Sequence, residues 1–324
     1  MEQQQSPKIE LYVTRSFSEK LSAAFAFLRE NWRTLLKYFT YLMLPASLVL
    51  GFFVNHFWGG YMSLFGMVEG GGELDDAWFI RFMLTTGATV IVGMAVYVVF
   101  SAMLYALFRL YQVRPQRLQN LHADEFRPEF YHCLKRAAFY LLTCFLLVML
   151  ALLVFGALVG GGIAINEGLG VIIIILGYVA ILAVAIPLSL SQPIYMMEDE
   201  VNPLQAIGKS FRLGFATWGG IVAISIVFSM LTSVIQSFTF APWYILFIVK
   251  MVFTLGSDLD STFVNSIFYT FLEYITCVIQ CLGYLLSGVI TTVALVVQYG
   301  HASDKIDGVG VAQNIDRFDE FDNF

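Results

Sequence analysis

Six long apolar segments constrain this chain more than any other feature of its sequence. Five contain no charged residue, and the sixth begins directly after Glu273; they lie at about 38–55, 86–108, 137–159, 169–191, 217–238 and 274–298. About 20 apolar residues of helix cross a hydrocarbon core about 30 Å thick. Uninterrupted apolar runs differ from the alternating pattern of a membrane barrel. The sequence therefore predicts an all-α polytopic transmembrane helical bundle of six spans.

Composition excludes the main soluble alternatives. Hydrophobic residues make up 58% of the 324 residues, charged residues make up 13%, and the mean hydropathy is +0.75. A soluble domain usually carries about 25% charged residues. A soluble enzyme, a disordered protein and a nucleic-acid binder are therefore excluded, and the lipid bilayer is the expected partner.

Two segments stand outside the six spans. Residues 241–255 are apolar but short, and they contain Pro242 and Lys250. This length is typical of an interfacial or re-entrant segment, which we predict here, with a seventh span as the alternative. Residues 304–324 predict an acidic cytoplasmic tail after a single transmembrane domain, 1–303. The tail either docks on a partner or its own bundle, or frays into solvent.

The distribution of Lys and Arg predicts the orientation. If the chain begins in the cytoplasm and crosses six times, all Lys and Arg except Arg81 and Lys250 fall on the cytoplasmic side. Cytoplasmic loops carry the excess of positive charge in membrane proteins. We therefore expect both termini in the cytoplasm. The polar N-terminus lacks the apolar stretch of a signal peptide, so we expect no cleavage there.

A basic amphipathic helix is predicted ahead of the first span. In residues 16–37, Leu21, Phe25, Leu28 and Trp32 recur at steps of three and four, and the opposite face is basic. Such a helix is expected to lie on the cytoplasmic membrane surface, drawn to anionic lipid.

This unit of amphipathic helix and span occurs again. When Trp32 is superimposed on Trp218, residues 202–219 match the first unit, and they also lead into a span. Residues 124–136 enter the third span in the same way, by analogy only. The pattern predicts an internal repeat and favours three helical hairpins, each entered through a surface helix.

A short motif carries a family resemblance. Between the fourth and fifth spans, a Pro, a Glu five residues later and a capped helix that ends at an aromatic residue involve Pro193, Glu198, Pro203, Ala206, Ser210, Leu213, Gly214 and Trp218. This resembles the YciC-type bacterial membrane proteins and the membrane domain fused to some glycerophosphodiester phosphodiesterases. Asn202 stands where Gly is usual, and the tail is similar to those of relatives in Bacteroidota-type bacteria.

The resemblance implies a six-helix integral protein of the bacterial plasma (inner) membrane. Too few polar residues remain to build a phosphodiesterase domain, so that chemistry does not carry over. Glu198 is expected to pair with a base and hold its loop against the bundle, or to bind a partner. The alternative is that it lies in a solvated turn.

Polar residues inside the spans form the other candidate site. They form one helical stripe on each of the fifth and sixth spans, and the candidate residues are Ser225, Ser229, Thr232, Gln236, Glu273 and Gln280. With a similar stripe on the second span, they could line a polar path between spans 2, 5 and 6. The alternative is close packing, because small and hydroxyl side chains let helices approach and bond.

Catalytic and metal-binding patterns are not found in the sequence. The four His are scattered, and Cys277 and Cys281 lie in an apolar span, so we expect no catalytic residue, no metal and no cofactor. The leading hypothesis is a non-catalytic scaffold or accessory subunit of a membrane complex in the bacterial cell envelope, with a membrane-protein partner. The alternative is a small-solute transporter or channel. The third is an enzyme that acts on lipid through Glu198 or Glu273.

Overall fold

The computed structural model describes residues 8–69, 76–255 and 262–312. Within these ranges the chain is all-α and contains no strand. Six helical segments are long and apolar enough to cross a membrane, and each coincides with one predicted span. The predicted polytopic helical bundle is confirmed, and the chain is a multi-pass membrane protein. The helices are α1 (Phe17–Glu69), α2 (Asp76–Val113), α3 (Ala123–Ile165), α4 (Glu167–Leu188), α5 (Ser191–Met197), α6 (Pro203–Ala216), α7 (Trp218–Leu255) and α8 (Ile267–Asp307).

The predicted surface helices differ in how they meet their spans. Residues 17–37 continue into the first span as one helix of 53 residues, and 124–136 likewise continue within α3. No Gly or Pro interrupts the chain near Lys37, so nothing ends the helix there. Only α6 is a separate helix. It ends at Ala216, Thr217 leaves the helical conformation, and α7 begins at Trp218.

The predicted repeat has a counterpart in burial. Lys20, Ala24, Phe27 and Asn31 are buried in the first copy, and the residues at the same spacing are buried in the second, namely Ala206, Ser210, Leu213 and Thr217. Asn31 Nδ2 donates to the Phe27 carbonyl, and Thr217 Oγ1 donates to the Leu213 carbonyl at the matching position. Both copies therefore bury the same face.

Residues 241–255 require a correction. They continue α7 without a break, and Pro242 lies inside the helix, so no re-entrant turn or separate seventh span forms here. Neighbouring helices can compensate for the hydrogen bond that a proline removes from a membrane helix. At 38 residues, α7 is about 57 Å long, which exceeds a hydrocarbon core of about 30 Å.

The chain divides into two compact units. The first, which we call unit one, contains Met1–Thr34, Ala102–Phe228 and Thr291–Phe324. Within it, Phe27 of α1 stacks on Phe108 of α2 at 4.4 Å between ring centroids. Lys20 donates to Gln298 Oε1 of α8 at 2.9 Å, and the hydroxyls of Tyr140 and Ser191 join α3 to α5 at 2.6 Å.

The ends of the described chain also pack within unit one. Thr14 donates to Asp304 at 2.7 Å, and Arg212 of α6 pairs with Asp307 at 2.8 Å. Residues 304–307, expected at the start of the tail, therefore belong to α8 and pack on the unit itself. The remainder of the predicted tail, 313–324, lies outside the described residues.

The second unit, unit two, contains Leu35–Ser101 and Ser229–Ile290. Close approach between its helices depends on small residues. A Cβ on Gly51 of α1 would lie 2.6 Å from Val278 of α8, and one on Gly283 of α8 would overlap Thr239 of α7. The Tyr274 hydroxyl donates to the Leu48 carbonyl at 3.1 Å. α1 and α7 therefore both pack directly on α8.

Two glycines of α6 should respond oppositely to alanine. A Cβ on Gly214 would lie 2.5 Å from Pro187 Cα, whereas one on Gly208 would meet nothing within 4 Å. We expect Gly214→Ala to destabilise the protein by about 1–3 kcal/mol through overpacking. Gly208→Ala should be neutral or stabilising by up to about 1 kcal/mol, because alanine favours helix. Thermal unfolding in detergent would measure both, and equal effects would contradict the close α4–α6 contact.

Candidate functional site

The motif residues meet around the connection between α5 and α6. Six of the eight motif residues are buried there, whereas Glu198 caps α5 and Trp218 begins α7; the buried ones are Pro193, Pro203, Ala206, Ser210, Leu213 and Gly214. Asn202 N–H donates to Gln205 Oε1 at 3.0 Å, which helps to cap α6. Most of the motif therefore serves packing and helix capping.

Glu198 is enclosed by partners from two helices. Its carboxylate accepts from Lys209 Nζ of α6 at 2.7 and 2.9 Å and from the hydroxyl of Tyr299 on α8. The Tyr299 oxygen lies 3.2 Å from that of Tyr12. Glu198 therefore holds its loop against the unit. Lys209 lies near in sequence, whereas no sequence signal indicated Tyr299, about a hundred residues away.

Asp199 forms the centre of a second ion-pair group. Arg109 of α2 donates to both Asp199 oxygens, at 2.8 and 2.6 Å, and also pairs with Glu129 of α3. His132 Nε2 lies 3.0 Å from Asp199 Oδ1. The hydrogen bonds from Arg109 lower the pKa of Asp199 to about 2. Sequence reasoning used Arg109 only as a marker of orientation and missed this role.

Arginines also donate hydrogen bonds to the backbone carbonyls at the C-terminal end of α5. Arg136 of α3 donates to the carbonyls of Tyr195, Glu198 and Asp199, and its guanidinium lies 4.2 Å from the centre of the Tyr195 ring. Arg109 donates to the Met196 carbonyl at 3.3 Å. The last carbonyls of a helix have no hydrogen-bond partner within the helix. A cation near them is also attracted to the negative C-terminal end of the helix dipole. The chain can therefore leave the helix at this point.

Low pH should weaken the ion-pair group around Asp199. The folded pKa of Asp199 lies below its unfolded value near 3.9, so its contribution is complete above about pH 4 and is lost as pH falls through about 2. Asp199 is half-exposed, so we expect about 1 kcal/mol or less. The melting temperature of Asp199→Asn should lie below that of wild type at pH 6, and the gap should close towards pH 2.

The matched control is Glu200→Gln, because Glu200 is an exposed neighbour in the same loop. A gap between wild type and Asp199→Asn that stayed constant from pH 6 to pH 2 would contradict the assignment.

The candidate residues of the predicted polar path do not share one pocket. Gln236 of α7 and Gln280 of α8 line one open pocket of about 300 Å³ in unit two, together with Ser233, Ser237, Thr239 and Tyr284 among others. Gln280 Oε1 is buried and accepts no hydrogen bond from the described residues.

Glu273 lines a different pocket. It pairs with Lys250 of α7, 2.8 Å from Nζ to each carboxylate oxygen, at the wall of an open pocket of about 360 Å³ in unit two. Sequence reasoning treated Lys250 as an exception to the charge asymmetry and missed this pairing, because 23 residues separate the two.

The other stripe residues line neither pocket. Ser225 is half-buried in unit one, and Ser229 is exposed. Thr232 is buried, donates to the Ser229 carbonyl at 3.1 Å and accepts from Ser287 through its own carbonyl. α2 contributes no lining residue to either pocket, and Thr89 instead donates to the Thr85 carbonyl at 2.7 Å. Most of these hydroxyls therefore serve helix packing.

Metal binding and relatives give no further guidance. Across the described ranges, no group of three or more His, Cys, Asp or Glu could hold a metal ion. Comparisons with protein-family models, with curated proteins and with solved structures find no match to this chain. The resemblance to YciC-type membrane proteins stays a prediction.

Proposed function

We propose that this chain is a non-catalytic membrane protein of the bacterial cell envelope, a scaffold or accessory subunit of a membrane complex. The observation that supports this most is the exposed hairpin formed by α3 and α4. Leu153 and Ile165 of α3 are 72% and 79% exposed, and Leu176 of α4 is 63% exposed. Residues 137–165 and 168–188 of the hairpin contain no charged side chain, so lipid or another apolar helix must cover their exposed surface.

Two sets of glycines distinguish the faces of this hairpin. Gly162 and Gly170 lie between α3 and α4, where a Cβ on Gly162 would be 3.4 Å from Gly170 Cα. Gly156 and Gly160 of α3 are exposed, and a Cβ on either would meet nothing within 4 Å. With Ala164, also exposed, they repeat every four residues along one face. We call Gly156, Gly160 and Ala164 the small-residue face.

A transmembrane helix of a second membrane protein is the occupant we propose for this face. Small residues at this spacing let two helix backbones approach closely, and the contact gains dispersion energy that lipid tails supply less well. Gly162 and Gly170 already allow such a close approach between α3 and α4 within the hairpin. The small-residue face would form the same kind of close helix contact with the partner.

Enlarging the small-residue face should release the partner. A photo-crosslinking residue at Leu153, which is 72% exposed on α3 one turn before Gly156, should give one discrete adduct with a different membrane protein in native membranes. Gly156→Leu with Gly160→Leu should reduce that adduct at least fivefold without changing the melting temperature, because no neighbour is displaced.

The matched control is Gly87→Leu, a glycine of α2 that also faces open space. Loss of the adduct with Gly87→Leu, a protein that runs alone, or an adduct only with a second copy of this chain would each contradict the accessory role.

We also propose that the protein lies in the bacterial plasma membrane with both termini in the cytoplasm. The support is the position of all Lys and Arg except Arg81 and Lys250 on one side of the six spans. Arg29, Arg33 and Lys37 of α1, which are all exposed, would then contact anionic lipid headgroups.

A small-solute path is the second candidate function. The specific observation that favours it is the open pocket lined by Gln236 and Gln280, together with the buried Gln280 oxygen that lacks a hydrogen bond from the described residues. Leaving such an acceptor unpaired costs about 1–3 kcal/mol. A solute with N–H or O–H groups would recover part of this cost during passage.

Gln280→Leu should separate this candidate from simple packing. In proteoliposomes, we expect urea and glycerol flux to fall at least tenfold while the melting temperature rises, because the unpaired amide is removed. Ile279→Leu, at the exposed neighbouring position, is the control and should change neither. Flux that is unchanged in Gln280→Leu, or equal to that of protein-free vesicles in wild type, would contradict the solute path.

A further inference from the structure

The Lys250–Glu273 pair is unusual for its surroundings. Lys250 is the one charged residue in α7, and Glu273 is the one charged residue of α8 before Asp304. Charged side chains in membrane helices are costly, and they commonly mark a site for substrate or ion. The pair is therefore a candidate binding site for a charged ligand.

The pair lies at the wall of a space rather than in a packed interface. The side chains of Lys250 and Glu273 are 26% and 13% exposed, and α1, α7 and α8 all line the pocket. Its volume of about 360 Å³ is at the small end of the range of about 300–1,000 Å³ for ligand sites. A small polar group fits there beside both charges.

Aromatic rings line the same pocket. Trp58 of α1 and Trp243 of α7 are in contact, with ring centroids 4.6 Å apart, and Phe247 lies 5.1 Å from Trp243. An indole face attracts a cation, most strongly where water is excluded. The pocket thus combines one cation, one anion and a surface that favours an added cation.

We propose that this pocket binds a small zwitterion that carries a primary ammonium and a phosphate, the chemistry shared by a phosphatidylethanolamine headgroup and free phosphoethanolamine. Lys250 binds the phosphate as a point charge. Glu273 accepts hydrogen bonds from the ammonium, whose positive charge also lies against the partly exposed indole of Trp58. The ligand therefore places an opposite charge beside each member of the pair.

The ammonium must be primary for this arrangement. Glu273 is an acceptor, and a quaternary ammonium has no N–H to donate to it. A quaternary ammonium would still be attracted to the Trp58 indole, so the comparison of ethanolamine with choline isolates the role of the carboxylate. This inference does not depend on the accessory role of the α3–α4 hairpin.

Tryptophan fluorescence of the full chain in detergent tests the proposal. With Trp32, Trp78 and Trp218 replaced by Phe, the remaining reporters are Trp58 and Trp243, both in the pocket. Dihexanoyl phosphatidylethanolamine and O-phosphoethanolamine are titrated separately, with the matching choline compounds as controls. We expect saturable binding of an ethanolamine compound at least tenfold tighter than of its choline counterpart. Binding of the lipid alone identifies a headgroup site, and binding of both compounds identifies a site open to the free zwitterion.

Variants of the pair exclude a purely structural role. Glu273→Gln should weaken ethanolamine binding at least tenfold. Because the single variant removes the carboxylate to which Lys250 donates, the double variant Lys250→Met with Glu273→Gln, which removes both charges of the pair, tests binding in a folded protein. It should also lose binding while its melting temperature stays near that of wild type. No saturable signal, equal affinity for choline compounds, or full binding by the double variant would overturn the proposal.

Discussion

The requirement that a chain in hydrocarbon satisfy its own backbone hydrogen bonds underlies the whole structure. Long helices meet it without help, and the six apolar segments follow from it directly. It becomes demanding where a helix ends, because the last carbonyls have no partner in the helix. The end of α5 is such a place, and Arg136 satisfies it by donating to the carbonyls of Tyr195, Glu198 and Asp199. The ion pairs of Glu198 and Asp199 then hold the connection to α6 in place.

The spans were predictable because their signal is local, whereas this connection was not. A run of apolar residues is read within a window of about 20 positions. Arg109 and Asp199 are 90 residues apart, and Glu198 and Tyr299 are 101 apart. No pattern in one sequence joins such residues. The continuous helix from Phe17 to Glu69 was missed for the opposite reason, since a change from amphipathic to apolar composition does not itself end a helix.

The polar stripes show how far spacing alone can be used. Helical periodicity placed Gln236 with Ser229 and Thr232 on one stripe, but only Gln236 reaches the pocket shared with Gln280. Thr232 instead donates to a carbonyl of its own helix. A hydroxyl can satisfy itself on the preceding turn, whereas the longer amide of Gln extends from the helix and presents two kinds of polar atom.

The two units differ in how their polar groups are satisfied, and both proposals start from this difference. In unit one the charges around Glu198 and Asp199 are paired with one another, so the α3–α4 hairpin leaves mainly an apolar surface to offer a partner. In unit two the Gln280 oxygen lacks a described partner, and the Lys250–Glu273 pair borders open space. A paired network resists change, because breaking one contact exposes a charge. The proposed ligand site therefore lies in unit two, and the proposed docking face lies on the hairpin of unit one.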